Sequence, residues 1–298
     1  MYKMWNMLCE MPKSVSTCNK EVPEMMPSWY LKNPIGEYVG IYLAEVSEKV
    51  NIGENVSGGA ITAFLCYLID KNFVDGVIAA RKTKGLEGEI IVAKSKEEII
   101  KTAGSKWQVL PFTSKLKETI ENEDLKKIAI VGLPCQIHFL RQMKTFPLLE
   151  MDFSHRIDFL ISLFCYGTFA QESILNYIKE KYEVEISSIK EVKITPKALK
   201  FIGGKTVEIP FEEITGYLQI GCLLCPDYTG TSSDISAGII RDKTIIISRN
   251  ERADEMIKDA ASMKYIKISE AGKEIIKRVE EESIRKINRA SKHIADLL

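Results

Sequence analysis

Short apolar runs alternate with stretches whose apolar residues recur at helical spacing, and this alternation continues through the middle of the chain. Tyr38 to Val46 predicts a strand. SGGAITAFLCYLIDKNF then presents two glycines followed by Ile61, Leu65, Leu68 and Ile69 at helical intervals. DGVIAAR and EIIVAK predict strands, and SKEEIIKTA and KLKETIENEDL predict short helices. KIAIVGL is a buried strand leading into the helix QIHFLRQMK. IDFLISLF is a second buried strand, followed by the helix QESILNYIKEKY. Strands and helices in this order predict an α/β fold: a mixed, mainly parallel sheet flanked by helices.

From about residue 187 the texture changes. ISSIKEVKIT, TVEIPF and KTIIISR are short β-rich runs interleaved with a Cys-x2-Cys loop, which predicts a smaller β-rich second half. ISEAGKEIIKRVEEESIRKINRASKHIADLL predicts a long amphipathic C-terminal helix. It is expected to pack on the body or on a partner, with its charges on a solvated face. Residues 1–35, with Pro12, Pro23, Pro27 and Pro34, show no periodicity and read as an irregular arm. The expected division is an arm over 1–35, a main domain over 36–260 and a helix over 261–298.

Composition narrows the function classes. In 298 residues, 41 Lys+Arg balance 41 Asp+Glu, so no basic field points to nucleic acid or an anionic membrane. No apolar run approaches the roughly 20 residues needed to span a bilayer, and MYKMWNMLCEMPKS lacks the apolar core and cleavage site of a signal peptide. A cytoplasmic protein without direct membrane insertion is expected. Seven cysteines are too sparse, and odd in number, for a secreted disulfide scaffold. In a reducing compartment they are ligands, redox groups or buried fillers.

Four of them stand just past buried strands or in a tight loop: Cys135 in KIAIVGLPCQ, Cys165 in IDFLISLFCYG, and Cys222 and Cys225 in QIGCLLCPD. Loops leaving the carboxyl ends of neighbouring strands converge, and four thiolates suit tetrahedral zinc or an iron–sulfur cluster. Pro134 and Pro226 hold the backbone beside two of the thiols. A lone buried cysteine is also a common core residue. Cys66 reads as such a residue, and Cys9 and Cys18 match no ligand spacing. His138 follows Cys135 on a helix and reads as a surface or packing residue; His155 and His293 stand in charged contexts. Ser57-Gly58-Gly59 before a helix, with Thr62 one turn in, is either a phosphate seat or a plain turn. The polar stretches 103–108 and 226–238 are binding loops or ordinary turns.

SGGAITAFL, NFVDGVI, AGSKW, VGLPCQ, SLFC, GCLLCPDY and SDISAG, in that order, resemble the coenzyme F420 hydrogenase/dehydrogenase beta-subunit family from about Tyr38 to Arg249. The resemblance implies an oxidoreductase subunit holding FAD and one [4Fe-4S] cluster and reacting with coenzyme F420. It places the cluster on Cys135, Cys165, Cys222 and Cys225. It places flavin or deazaflavin contacts on Ser57, Gly58, Gly59, Thr62, Ser105, Lys106, Gln136, Asp227, Asp234, Ser236 and Arg249. Hydride would pass between F420 and FAD, and single electrons between FAD and the cluster, with Lys106 or Arg249 favouring an anionic reduced flavin. Implied partners are other iron–sulfur redox subunits of hydrogenase, formate dehydrogenase, heterodisulfide reductase or membrane dehydrogenase type.

The chain departs from the family pattern at Ile239-Ile240-Arg241, where a further glycine is usual, and at Arg249-Asn250-Glu251, where threonine and glycine are common. No two-cluster ferredoxin spacing is present. Two other readings stand beside the F420 one: a flavin and iron–sulfur reductase using ferredoxin or another donor on an organic substrate, and a zinc-bound, non-catalytic scaffold subunit.

Overall fold

The computed structural model describes residues 32–53, 59–83, 86–104, 110, 116–146, 152–194, 198–240 and 243–297. The first half runs β1 (Gly40–Val46), α1 (Gly59–Asp70), β2 (Gly76–Lys82), β3 (Gly88–Ala93), α2 (Lys96–Ile100), α3 (Leu116–Asn122), β4 (Ile128–Gly132), α4 (Pro134–Thr145) and β5 (Ile157–Leu163). It continues through α5 (Gln171–Tyr182), β6 (Glu191–Ile194), β7 (Ala198–Ile202), β8 (Val207–Pro210), α6 (Phe211–Ile214) and α7 (Ile220–Leu223). The chain then forms β9 (Ile235–Ile240), β10 (Lys243–Ser248), α8 (Glu251–Ser262), β11 (Ile266–Glu270) and α9 (Lys273–Leu297).

Eight strands form one sheet in the order β11-β1-β10-β9-β5-β4-β2-β3. The expected mixed α/β fold is observed, and its parallel pairings, β2 with β4, β4 with β5 and β5 with β9, form the central block. Antiparallel strands close both flanks. Residues of β4 and β5 are apolar at consecutive positions because both sheet faces are covered. Ala129, Phe159 and Ile161 face α1 and α8 in one apolar cluster. Ile128, Ile130 and Leu160 face α3 and α4 in another. The same alternation on β1 and β10 sends Ile41, Ile245 and Ile247 toward Val279 of α9.

Phe64 of α1 is fully buried, with its ring 6.0 Å from that of Phe159 and 5.8 Å from that of Tyr67. Phe64→Ala removes this packing between helix and sheet and is expected to cost about 3–5 kcal/mol, read as a lower urea midpoint with an unchanged slope.

Two boundaries differ from the sequence reading. KTIIISR does not stay with the β-rich second half: β9 and β10 return to the main sheet between β5 and β1, and β6, β7 and β8 alone make a separate three-stranded sheet packed on α5. The C-terminal helix begins at Lys273, because Ile266–Glu270 pair with β1 as the edge strand and Gly272 separates the two elements. Of the N-terminal arm, residues 1–31 lie outside the described residues, as do Cys9 and Cys18. Ile35 at its end is buried against β1 and β10. Among the described residues no helix is long and apolar enough to cross a membrane.

Candidate metal centre

β1 is antiparallel to β10, which is antiparallel to β9, so β1, β9, β5, β4 and β2 all point the same way. The end of β1, the start of α1, Cys135 and Cys165 therefore emerge on one edge of the sheet. In Leu133-Pro134-Cys135-Gln136, proline fills the first helical position, where no intrahelical N–H is needed. The Gln136 side chain folds back to accept from the Leu133 N–H at 2.9 Å and donates to the Leu110 carbonyl at 3.0 Å. This clamp holds Cys135 on the first turn of α4, at the solvent-facing rim.

Cys165 is fixed two residues past β5 by its N–H, which donates to the Tyr228 carbonyl at 2.9 Å. Cys222 and Cys225 lie one helical turn apart, Cys222 within α7 and Cys225 just after it, so their side chains share a side. Thr168 Oγ1 lies 3.1 Å from Cys222 Sγ, and the Cys225 thiol donates to the Asp227 carbonyl at 3.9 Å.

The four predicted cysteines lie near enough to act on one another electrostatically. Burial raises the Cys135 thiol, and Cys225 and Cys222 push the same way. Burial lifts Cys165 to about 11; Lys286 pulls against this, while Cys222, Cys135 and Cys225 add to it. All five described cysteines are free. Among the described residues no three His, Cys, Asp or Glu side chains are close enough to share one metal ion. Cys66 is the expected core thiol: it is fully buried in α1, and burial pushes it up to about 12. His138 is exposed on α4, with Nδ1 2.8 Å from Ser232 Oγ.

The loop after Cys225 is held by the residues that the family resemblance places near the cofactors. Asp227 accepts from the N–H groups of Gly230 at 2.8 Å and Thr231 at 3.1 Å. Gly230, at φ +80°, lies where a Cβ would overlap Ser162, so only glycine allows this return of the loop onto β5. Asp234 accepts from the Leu160 N–H at 2.8 Å, from Arg141 at 2.7 Å and from Asn250 at 3.0 Å. Arg249 donates to Ser236 Oγ at 2.7 Å, to Thr229 Oγ1 at 2.9 Å, and to the carbonyls of Ile35 and Glu37, each at 2.9 Å. Burial lowers the Arg249 guanidinium to about 10. Asp227, Asp234, Ser236 and Arg249 thus form one internal network that fastens the cysteine loop to the sheet.

Gly59 and Thr62 are both buried at the start of α1, and a Cβ at Gly59 would come within 2.8 Å of Val46 Cγ2. Close packing thus requires this glycine independently of any ligand. Ser57, Gly58, Ser105 and Lys106 lie outside the described residues.

Two residues at the centre were missed in the sequence. Lys286 of α9 is 1% exposed, and its Nζ donates to the carbonyls of Cys165 and Asp227, each at 2.7 Å. Arg289 donates to the carbonyls of Tyr166 at 2.7 Å and Cys222 at 3.0 Å, with its guanidinium 4.6 Å from the Tyr166 ring centroid. The expectation that the charges of this helix lie on a solvated face fails at these positions. A signal was present: Val279, Ser283, Lys286, Ile287 and Ala290 fall on one helical stripe, and all are buried.

Comparison with known proteins agrees with this geometry. Residues 41–117 match the model for the N-terminal part of the coenzyme F420 hydrogenase/dehydrogenase beta subunit, and residues 125–274 match the model for its C terminus. The coenzyme F420 hydrogenase subunit beta of Methanosarcina barkeri is 28% identical over 69% of this chain and 72% of its own. The protein of the same name from Methanothermobacter thermautotrophicus is 26% identical over 88% of this chain and 95% of its own. A chain of the F420-reducing [NiFe] hydrogenase complex from Methanosarcina barkeri shares the fold, with a TM-score of 0.79 at 23% identity over 88% of this chain and 93% of that one. With motif order, fold and both family models in agreement, the chain belongs to the coenzyme F420 hydrogenase/dehydrogenase beta-subunit family.

Proposed function

We propose that this chain is an oxidoreductase subunit that carries electrons between coenzyme F420 and a [4Fe-4S] cluster by way of FAD, within a larger redox complex. The observation that supports this reading most is that Cys135 and Cys165 leave parallel neighbouring strands at one edge of the sheet, with Cys222 and Cys225 near enough to act electrostatically on both. The donor set fits a cluster. Cys135, Cys165, Cys222 and Cys225 would hold its irons through their thiolates.

When bound, the flavin supplies the junction between two-electron hydride exchange with F420 and one-electron exchange with the cluster. The protein's part is to bind and orient. Gln136 holds the first turn of α4, and Asp227, Asp234, Ser236 and Arg249 hold the loop that carries Cys222 and Cys225. The start of α1 opens on the same edge, so Ser57, Gly58, Gly59 and Thr62, with Ser105 and Lys106, are our assignment for the flavin side. Ile220, two residues from Cys222, is 75% exposed, and Phe139, one helical turn from Cys135, is 47% exposed. Apolar side chains at this rim suit docking of another iron–sulfur redox subunit beside the cluster.

Adding reduced F420 anaerobically to the cofactor-loaded protein tests the donor. Bleaching of the flavin absorption is expected. A flavin that stays oxidised under reduced F420 but is bleached by reduced ferredoxin would replace F420 with the ferredoxin reading.

A further inference from the structure

Among the described residues, Lys286 and Arg289 carry charge into the cysteine site with no carboxylate paired to either. Each cation donates to two backbone carbonyls. Among the described residues, Arg289 Nε and Nη1 are buried with no hydrogen-bond partner. By contrast Arg285, on the same helix, is exposed and paired with Glu282 at 3.1 Å. Burying an ion costs several kcal/mol unless an opposite charge compensates it, and arginine cannot escape by losing its proton. The carbonyls that anchor both cations belong to Cys165, Tyr166, Cys222 and Asp227, the backbone around three of the four thiols. Lys286 acts electrostatically on both Cys165 and Cys135. Four thiolates around a core of smaller positive charge leave a net anionic centre, which is the countercharge this pair lacks.

We propose that Lys286 and Arg289 are the fixed cationic counterpart of the cysteine centre, positioning residues that set its reduction potential and tie α9 to its occupancy. The proposal rests on the four-cysteine reading above. Both residues lie beyond the stretch matched by the family models, which ends at residue 274. Reduction adds one electron to an already anionic centre, so adjacent cations stabilise the reduced state more than the oxidised one. Removing either cation lowers the potential. It also weakens the hold on iron, by the roughly 10- to 100-fold typical of residues that support metal ligands.

The test uses the full chain, purified anaerobically and loaded with iron and sulfide. Lys286→Met, Arg289→Gln, the charge-keeping Lys286→Arg and Arg289→Lys, and the exposed control Lys277→Met are compared with wild type by EPR-monitored redox titration and by iron release to a chelator. A downward shift in potential with faster iron release is expected for Lys286→Met and Arg289→Gln, a near-wild-type potential for the arginine and lysine exchanges, and no change for Lys277→Met. Glutamine retains hydrogen-bond donors, so a shift in Arg289→Gln that Arg289→Lys restores reports charge rather than carbonyl capping. Should Lys286→Met fail to fold, the Arg289 pair alone decides. A wild-type centre whose potential is the same in Arg289→Gln overturns this inference and leaves the proposed function standing. Wild-type protein that takes up no iron and sulfide overturns both.

Discussion

Cys222→Ser and Cys225→Ser are each expected to leave anaerobically purified protein with less than about a tenth of the wild-type iron, whereas Cys66→Ser leaves iron content unchanged. The three thiols differ in surroundings, not in chemistry. Cys66 is fully buried inside α1 among Phe64, Leu65 and Tyr67, and a serine there disturbs only packing. Cys222 and Cys225 lie on one turn, held by the Gln219 carbonyl, which accepts from the Cys222 N–H at 2.8 Å. Serine fits that turn sterically but is a poor ligand for iron. Iron and sulfide assays, with circular dichroism to confirm folding, separate the cases. Equal iron in all three variants would remove the pair from the ligand set.

Asp234→Ala is expected to destabilise the cofactor-free protein by about 3 kcal/mol, as breaking a largely buried ion pair does. Its carboxylate joins three elements: the Leu160 N–H on β5, the Arg141 guanidinium on α4 and the Asn250 side chain that caps α8. Alanine leaves Arg141, only 29% exposed, without its anion, and leaves the Leu160 N–H without its acceptor. Asp234→Asn keeps an acceptor for one donor and is expected to lose less. Urea denaturation of cofactor-free protein measures both. Full stability of Asp234→Ala in that state, with loss of flavin as its only effect, would instead make Asp234 a cofactor contact and not a structural joint.

The elements that sequence reading recovers best are those whose surroundings are symmetric. β4, and β5 apart from Asp158 and Ser162, are apolar because helices cover both faces, and so they stand out without any partner being known. The cysteines at their ends are legible for the same reason: a strand that must be buried fixes the edge at which its loop emerges. β9 is not legible as a strand because its first residues fall in a polar stretch that reads as a loop, and KTIIISR is legible as β structure but its sheet is not, because short β-rich runs look alike in either sheet. The choice is made by distant neighbours, as where Ile161 of β5 pairs with Ile235 and Gly40 of β1 pairs with Ser248. β11 was absorbed into the helix because Ile266 and Ile268 have apolar spacing compatible with both, and only the pairing with β1 decides.

Within the site, the sequence shows residue types but not their partners. Asp234 meets Leu160 and Arg141 across 74 and 93 positions, so its structural role is invisible locally. Lys286 and Arg289 were assigned to solvent because a charged residue on an amphipathic helix normally is solvated. The apolar stripe through Val279, Ile287 and Ala290 marks Lys286 as facing inward, but only the fold shows that this stretch of α9 packs against the cysteine loops.

Chemical analysis of the anaerobically purified chain tests the central claim most directly. Four irons and four sulfides per chain are expected for one cluster, with a broad visible absorption that fades on reduction and almost no zinc. A colourless protein holding one zinc and no sulfide, its metal lost in Cys222→Ser, would contradict the account and make the centre a structural zinc site.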